Sequence, residues 1–227
     1  MISNQSLVVV LVFRNMDIFA GQMRLKGVNN ILDNLRLSYG MHFVYRDTIG
    51  QDTGLNDGNN GLYIEGDYNI IKNSEINFSA GNGMSIVGDG NEVNNCLIHS
   101  FGYMGTYTSG VYFAGSGSKL KHSTVFNSGR DILHLGGCSA CEITHNLLHD
   151  STLLTDDSGI IYSFGHNLEG TEIAYNWLQG ITNPARHPSG ILLGIYLDNG
   201  SRNALVHHNL ISGLANKPGV GPNTPHE

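Results

Sequence analysis

Charged side chains are scarce in this sequence: only 14% of the 227 residues are Asp, Glu, Lys or Arg. Long surface helices need such residues, so their scarcity, together with 30 glycines, indicates an all-β protein. Positive charge is the rarer sign, with 12 Lys and Arg against 19 Asp and Glu and no basic stretch. Because a nucleic-acid backbone is bound by clustered cations, we expect no nucleic-acid partner.

Cysteine is also rare, with Cys96, Cys138 and Cys141 as the only three. Three cysteines cannot all pair with one another, so a disulfide framework is not expected. The spacing of Cys138 and Cys141 is that of half a zinc site or of a redox pair. No second motif of this kind is present, and we interpret the two residues as small side chains that fill a turn.

Long apolar runs are missing as well. Residues 7–13 form an apolar run of seven residues, whereas a membrane-spanning helix needs about 20. This run lacks the basic flank and the small-residue cleavage site of a signal peptide. We interpret it as a buried strand and predict no membrane partner, and the sequence leaves the cellular compartment open.

What the sequence does contain is a repeat. A pattern of six residues occurs seven times, starting at positions 32, 71, 93, 120, 143, 173 and 206. It consists of an apolar residue, two polar residues, a small or amide residue, any residue and a second apolar residue. Intervals of this size fit a three-strand coil with loop insertions, which a solenoid tolerates. Helical periodicity is absent. The repeat therefore predicts a single-stranded right-handed parallel β-helix, a pectate-lyase-like solenoid of about seven coils.

The same repeat suggests the limits of the domain. We predict one β-helix domain over residues 1–215 and a flexible tail at 216–227, which is rich in Pro and Gly. No amphipathic cap is recognisable before the first coil, and an uncapped coil exposes strand edges. We therefore expect possible self-association through the N-terminal coil.

The fourth position of the repeat has a structural interpretation. Asn146, Asn176 and Asn209 occupy it in the last three copies. An inward amide at a bend can bond the local backbone and the next coil, so these residues predict an Asn ladder. In the earlier copies the fourth position has no side-chain amide and is occupied by Leu35, Ser74, Cys96 and Ser123.

A short alternating strand precedes each repeat by about ten residues. In the last of these strands Ile195 and Leu197 share the inward face, so Tyr196 and Asp198 point outward. His134 and Tyr162 hold the position of Tyr196 in the two preceding coils. The outer face of one stacked sheet forms a groove along the axis, and a polysaccharide or oligosaccharide is the partner that fits such a groove.

Three segments carry a resemblance to a known family: Thr155-Asp-Asp-Ser-Gly-Ile-Ile-Tyr162, Gly194-Ile-Tyr-Leu-Asp-Asn-Gly200 and His134-Leu-Gly-Gly137. Together with the Asn repeats, over residues 130–213, they resemble the β-helix enzymes of glycoside hydrolase family 141, which include xylanases and an α-L-fucosidase. The resemblance implies polysaccharide hydrolysis by paired aspartates, matched here by Asp157 and Asp198, and a secreted or periplasmic protein. Members of that family are longer than this chain.

The candidate site follows from these observations. Asp157 and Asp198 are the predicted catalytic pair, and the predicted substrate-binding residues are Asp156, His134, Tyr162, Tyr196 and His166. Glycoside hydrolysis needs one carboxyl group to protonate the leaving oxygen and another to attack or to activate water. Asp157 precedes its strand whereas Asp198 ends the next, so the two meet only if the chain bends sharply before Ser158. The alternative is that both are turn residues.

Two other functions remain open. A polysaccharide lyase or uronate epimerase would use Arg130, His134 or Tyr196, and Ca²⁺ is conceivable only in that case; otherwise we expect no metal and no cofactor. The negative net charge of the chain disfavours an anionic uronate polymer as substrate. The alternative role of Arg130 is to hold the neighbouring loop. The third possibility is a β-helix fragment that binds glycans without catalysis.

Overall fold

The computed structural model of the chain describes residues 23–41, 60–155, 157–180 and 192–214. Within these ranges the structure contains 21 strands and no helix. The strands form three sheets of seven strands each, and neighbouring strands always run parallel. The predicted all-β parallel β-helix is therefore confirmed.

Each coil contributes one strand to each sheet. Sheet A consists of β1 (Met23–Leu25), β4 (Asn60–Ile64), β7 (Asn82–Ile86), β10 (Ser109–Phe113), β13 (Asp131–Leu135), β16 (Ser158–Phe164) and β19 (Leu192–Asp198). Sheet B consists of β2 (Ile31–Asp33), β5 (Ile70–Lys72), β8 (Glu92–Asn94), β11 (Lys119–Lys121), β14 (Glu142–Thr144), β17 (Glu172–Ala174) and β20 (Leu205–His207). Sheet C consists of β3 (Arg36–Met41), β6 (Glu75–Ser79), β9 (Leu97–Phe101), β12 (Thr124–Ser128), β15 (Leu147–His149), β18 (Trp177–Gln179) and β21 (Leu210–Ser212).

The sequence repeat coincides with the bend between sheets B and C. Each copy starts at the central residue of a sheet B strand, and these residues pair with one another from coil to coil, as Leu32 does with Ile71 and Ile71 with Val93. Their side chains point inward and are buried from Ile71 through Ile173. Within the described residues the predicted seven coils are thus confirmed in number and in register.

The predicted Asn ladder is confirmed in the last three coils. The Nδ2 of Asn146 donates to Oδ1 of Asn176 at 2.9 Å, and that of Asn176 donates to Oδ1 of Asn209 at 3.0 Å. Each Oδ1 also accepts the backbone N–H of the preceding coil. In earlier coils a hydroxyl accepts the equivalent backbone hydrogen bond: the Cys96 N–H donates to Ser123 Oγ at 3.0 Å. These bonds satisfy backbone groups that the bend removes from water.

A second ladder lies at the bend between sheets A and B, and the sequence analysis missed it. The Nδ2 of Asn30 donates to Oδ1 of Asn69 at 2.9 Å, and that of Asn69 donates to Oδ1 of Asn91 at 3.1 Å. The Asn91 N–H then donates to Ser118 Oγ at 3.2 Å. The front coils have no Asn at the fourth position of the repeat. Their amide ladder lies at the bend between sheets A and B instead.

The residue that turns the chain between sheets B and C has a left-handed backbone in every coil, with φ between 48° and 59°. We call these residues the bend row: Asn34, Asn73, Asn95, His122, His145, Tyr175 and His208. Asn adopts this conformation readily, while other side chains do so at some cost. All seven side chains point to solvent.

The cysteines are buried, and none forms a disulfide. Cys138 and Cys141 lie in the turn between β13 and β14, which agrees with the interpretation of small side chains that fill a turn. Residues 7–13, the predicted uncapped start and the tail at 216–227 lie outside the described residues. In the part that the structure describes, no helix is long and apolar enough to cross a membrane.

The ladder predicts the effect of Asn176→Ala. The Asn176 side chain is 2% exposed, accepts from the Asn146 N–H, and donates to the Ile143 carbonyl at 2.8 Å. Its removal leaves both backbone groups buried without partners, which should cost about 2–4 kcal/mol of unfolding free energy in urea. The exposed Asn167, which accepts one hydrogen bond from Asn203, is the control and should cost about 0.5 kcal/mol or less when changed to Ala. Equal losses for the two variants would contradict the structural role of the ladder.

Candidate functional site

The outer face of sheet A carries one outward side chain per coil. From β4 to β19 this row reads Tyr63, Ser85, Tyr112, His134, Tyr162 and Tyr196. His134 pairs in register with Tyr162, and Tyr162 with Tyr196. The predicted alignment of these three side chains is therefore confirmed.

The centre of the site is the guanidinium of Arg130, a residue that is 6% exposed. It lies 3.8 Å above the centre of the Tyr107 ring and 4.8 Å from that of Tyr162. One nitrogen is 2.6 Å from Asp131 Oδ2, and the other donates to the backbone carbonyl of Asp157 at 3.0 Å. Burial disfavours its charge, but Asp131 and the two phenols raise the pKa of Arg130 overall. The Arg130 guanidinium thus bridges Asp131 and the backbone that leads into β16.

Asp131 introduces a charge into an otherwise neutral buried column. In the preceding coils the same strand position is held by Asn60, Asn82 and Ser109. Asp131 is fully buried, and its Oδ2 lies 3.2 Å from His134 Nδ1. Its Oδ1 has no hydrogen-bond partner among the residues that the structure describes. A buried carboxylate is tolerated only with such partners, so Asp131, Arg130 and His134 depend on one another.

Tyr107 covers this cluster from the loop formed by residues 102–108. Its ring meets those of His134 and Tyr162 edge to face, with centroids 5.6 Å and 6.2 Å apart. His134 is consequently 2% exposed and Tyr162 3% exposed, although both point away from the core. Burial first, and then the hydrogen bond with Tyr107 and the Asp198 carboxylate, raise the pKa of Tyr162 strongly, so it stays a neutral phenol.

The accessible edge of the cluster contains Asp198 and Tyr196. The Tyr162 hydroxyl donates to Asp198 Oδ2 at 2.9 Å, and the Tyr162 and Tyr196 rings meet edge to face at 5.4 Å. Burial, followed by the negative charges of Asp198 and Asp157, raises the pKa of Tyr196. Both predicted catalytic carboxylates therefore act electrostatically on one phenol.

Asp157 is exposed and has a left-handed backbone with φ of 56°. The chain thus turns immediately before Ser158. Ser158 pairs with Leu192 and Phe164 with Asp198, so the two aspartates lie at opposite ends of the paired strands, and the approach of their carboxyl groups stays a prediction. The strand entry also folds closely against Tyr196, because a Cβ atom added to Gly159 would lie 3.0 Å from the Cβ of Tyr196. Asp156 lies outside the described residues.

His166 follows β16 at the opposite end of the strand from Asp157. It is half-buried, and its backbone N–H donates to Ser201 Oγ at 3.2 Å. Burial, and then the neighbouring His134, lower the pKa of His166, which favours a neutral imidazole. Within the described ranges no three His, Cys, Asp or Glu side chains are grouped so that they could hold a metal ion.

The structure therefore brings His134, Tyr162, Tyr196 and Asp198 together, and Arg130 ties the Asp157 backbone to them. The sequence analysis missed Tyr107 and Asp131 as members of the site. Asp131 has a sequence signal, because a charge replaces Asn or Ser at a strand position that is polar in three earlier coils. Tyr107 comes from a loop with no repeat pattern, and no sequence signal indicates its place.

No curated protein matches the chain. The solved structures that it resembles include the A-modules of two mannuronan C-5 epimerases from Azotobacter vinelandii. AlgE4 is 11% identical with a TM-score of 0.32, over 68% of this chain and 57% of that one. AlgE6 is 10% identical with a TM-score of 0.30, over 84% of this chain and 55% of that one. The chain thus spans little more than half the length of either structure.

The family comparison covers most of the solenoid. The model of the right-handed β-helix region matches residues 46–209, which include coils two to six and the sheet A and sheet B strands of coil seven. The chain belongs to the right-handed β-helix family.

Proposed function

We propose that this chain is a glycoside hydrolase that holds a neutral polysaccharide, such as a xylan-like or fucose-containing chain, along the outer face of sheet A. Asp157 and Asp198 are the proposed catalytic residues. The observation that carries the proposal is the Tyr162 hydroxyl bonded to Asp198 beside Tyr196, a phenol on which the Asp157 charge also acts.

Accessibility favours the carboxylates as the reacting groups. Asp157 is exposed and Asp198 is half-buried, whereas Arg130, Asp131 and His134 are nearly inaccessible. Groups that touch a substrate must reach the surface of the groove. The buried groups therefore support the site, and the two aspartates and Tyr196 meet the sugar.

The proposed roles follow from the contacts. Asp198, oriented by the Tyr162 phenol, removes a proton from the water that attacks the anomeric carbon, or attacks that carbon itself to form a glycosyl-enzyme that water then hydrolyses. In the same step Asp157, which has to enter the reaction protonated, donates its proton to the glycosidic oxygen as the bond from that oxygen to the anomeric carbon breaks. Tyr196, on whose phenol the charges of both carboxylates act, offers its ring to the sugar. Arg130 is a positioning residue, since it fixes the Asp157 backbone and packs on the Tyr162 ring.

A lyase or epimerase acting on uronates is the second candidate. The grouping of Arg130, His134 and Tyr162 favours it, since such enzymes need a cation, or Ca²⁺, near a base. The Arg130 guanidinium, however, is already bound to Asp131 and to the Asp157 carbonyl. The accessible groups are acidic and would repel a uronate, so the hydrolase is the better-supported proposal.

The proposed catalytic roles predict the effect of replacing either aspartate. Asp157→Asn and Asp198→Asn should each lower the release of reducing ends from xylan and other neutral glycans by about 10²–10⁴-fold, because each removes one half of the acid–base pair. The exposed Glu169 is the control, and Glu169→Gln should keep full activity. Formation of an unsaturated product from uronates, with no hydrolysis of neutral glycans, would instead establish the lyase.

Arg130→Lys tests the positioning role. Lysine keeps the charge beside Asp131 but cannot bridge two acceptors while it packs on two rings. A misplaced Asp157 should lower kcat by about 100-fold, with a much smaller change in KM. Arg202 is exposed and its guanidinium donates to the nearby Gly200 carbonyl, so Arg202→Lys is the matched control. A loss confined to KM would argue against positioning.

Alkaline unfolding tests the buried phenol. The pKa of Tyr162 is raised in the folded chain, whereas in the unfolded chain it is about 10. Its contribution to stability is therefore fully present below pH ~10 and is lost as the pH rises above that value. The unfolding free energy of Tyr162→Phe should fall less steeply than that of the wild type above pH ~10. Parallel curves for the two proteins would show that the phenol is not held neutral by the fold.

A further inference from the structure

A groove of about 520 Å³ follows the bend between sheets B and C across the first four coils. One wall is formed by the bend row, and the other by the first outward residues of the sheet C strands. The residues that matter for its chemistry are Asn34, Asn73 and Asn95 on the first wall and Arg36, Glu75 and Leu97 on the second. None of them belongs to the outer face of sheet A, so this groove is separate from the catalytic site.

The amide wall is held in a fixed orientation. The Asn95 Nδ2 donates to Asn73 Oδ1 at 2.7 Å, and the Asn73 Nδ2 donates to Asp33 Oδ1 at 2.8 Å. A side-chain amide has two N–H donors and a carbonyl with two lone pairs, so each lateral bond leaves capacity for a ligand. Because the coils stack at about 4.8 Å, the groove presents a regular row of donors and acceptors.

The second wall is neutral and partly apolar. Arg36 and Glu75 form an ion pair at 3.2 Å, so their charges compensate each other. Leu97 is 39% exposed in the next coil. The groove therefore combines hydrogen-bonding groups with an apolar surface and has little net charge, which suits a neutral polyhydroxyl chain more than an ionic one.

Along the same bend the later coils become aromatic. His145, Tyr175 and His208 continue the bend row, with ring centroids 5.1 Å and 5.0 Å apart. Trp177, the only tryptophan of the chain, continues the opposite wall and is 46% exposed. Exposed aromatic rings offer the apolar surface that a sugar ring covers.

We propose that this groove is a second, non-catalytic binding site for a neutral linear oligosaccharide or polysaccharide. A peptide strand fits it less well, because β6 and β9 are paired on both sides and offer no free backbone edge for strand addition. The regular amides match a repeating polymer, and the compensated charges exclude a role for a polyanion. This site would hold a glycan at the bend between sheets B and C, away from the outer face of sheet A, and is independent of hydrolysis.

The test is binding of xylohexaose, cellohexaose and mannohexaose to the full chain, followed residue by residue through amide and indole NMR shifts. An Asp157→Asn/Asp198→Asn background prevents cleavage. We expect shifts at Asn73, Asn95 and Leu97 with at least one of these probes. Shifts confined to Tyr196 and its neighbours, or none with any of the three, overturn the proposal, as does preferential occupation of the groove by a peptide or by hexagalacturonate.

A matched pair of variants shows which groups bind. Asn73→Gly/Asn95→Gly keeps the left-handed backbone, which glycine adopts freely, and removes both amides. Affinity at the groove should fall by about tenfold through the loss of two hydrogen bonds. Asn127→Gly/Asn203→Gly removes two exposed amides with the same backbone and one side-chain hydrogen bond each, and it should bind as before. Equal affinity of both variants overturns the amide contacts. Absence of hydrolysis by the wild-type chain, with intact groove binding, overturns only the proposed enzyme.

Discussion

The structure depends on the hydrogen bonds that pass from one coil to the next at the bends. A bend removes backbone N–H and C=O groups from water, and a side chain at the same position of every coil bonds them. Asn146, Asn176 and Asn209 do this at one bend, and Asn30, Asn69 and Asn91 at another. Because these bonds join equivalent positions, they fix the register of all three sheets, and each position becomes a column along the axis.

The candidate site is a modification of such a column. Asp131 replaces a neutral polar residue in a buried column, and its charge requires Arg130 and His134 beside it. Arg130 then reaches the Asp157 backbone and the Tyr162 ring, and Tyr162 bonds Asp198. One buried charge thus links the two surface carboxylates that we propose as catalytic residues. The accessible carboxylates and the buried position of the Arg130 guanidinium are the grounds on which we propose a neutral glycan instead of a uronate.

Much of the fold could be predicted from the sequence because a solenoid repeats its constraints. The apolar residues and the fourth-position Asn predict seven coils, and strand alternation predicts that His134, Tyr162 and Tyr196 align. The Asn30 ladder was missed because the repeat was defined around the other bend. The place of Tyr107 could not be predicted, since an irregular loop puts it over the site. The predicted contact of His134 with sugar stays a prediction, and the buried ring lies beneath Tyr107.

The central claim is that a glycan is cleaved on the outer face of sheet A. The most direct test is a crystal structure of the Asp198→Asn variant with bound xylohexaose or another uncleaved neutral hexasaccharide. The account predicts a sugar ring against Tyr196 and a glycosidic oxygen within hydrogen-bonding distance of the Asp157 carboxyl group. A glycan bound only at the bend between sheets B and C, with no density near Tyr196, would contradict it.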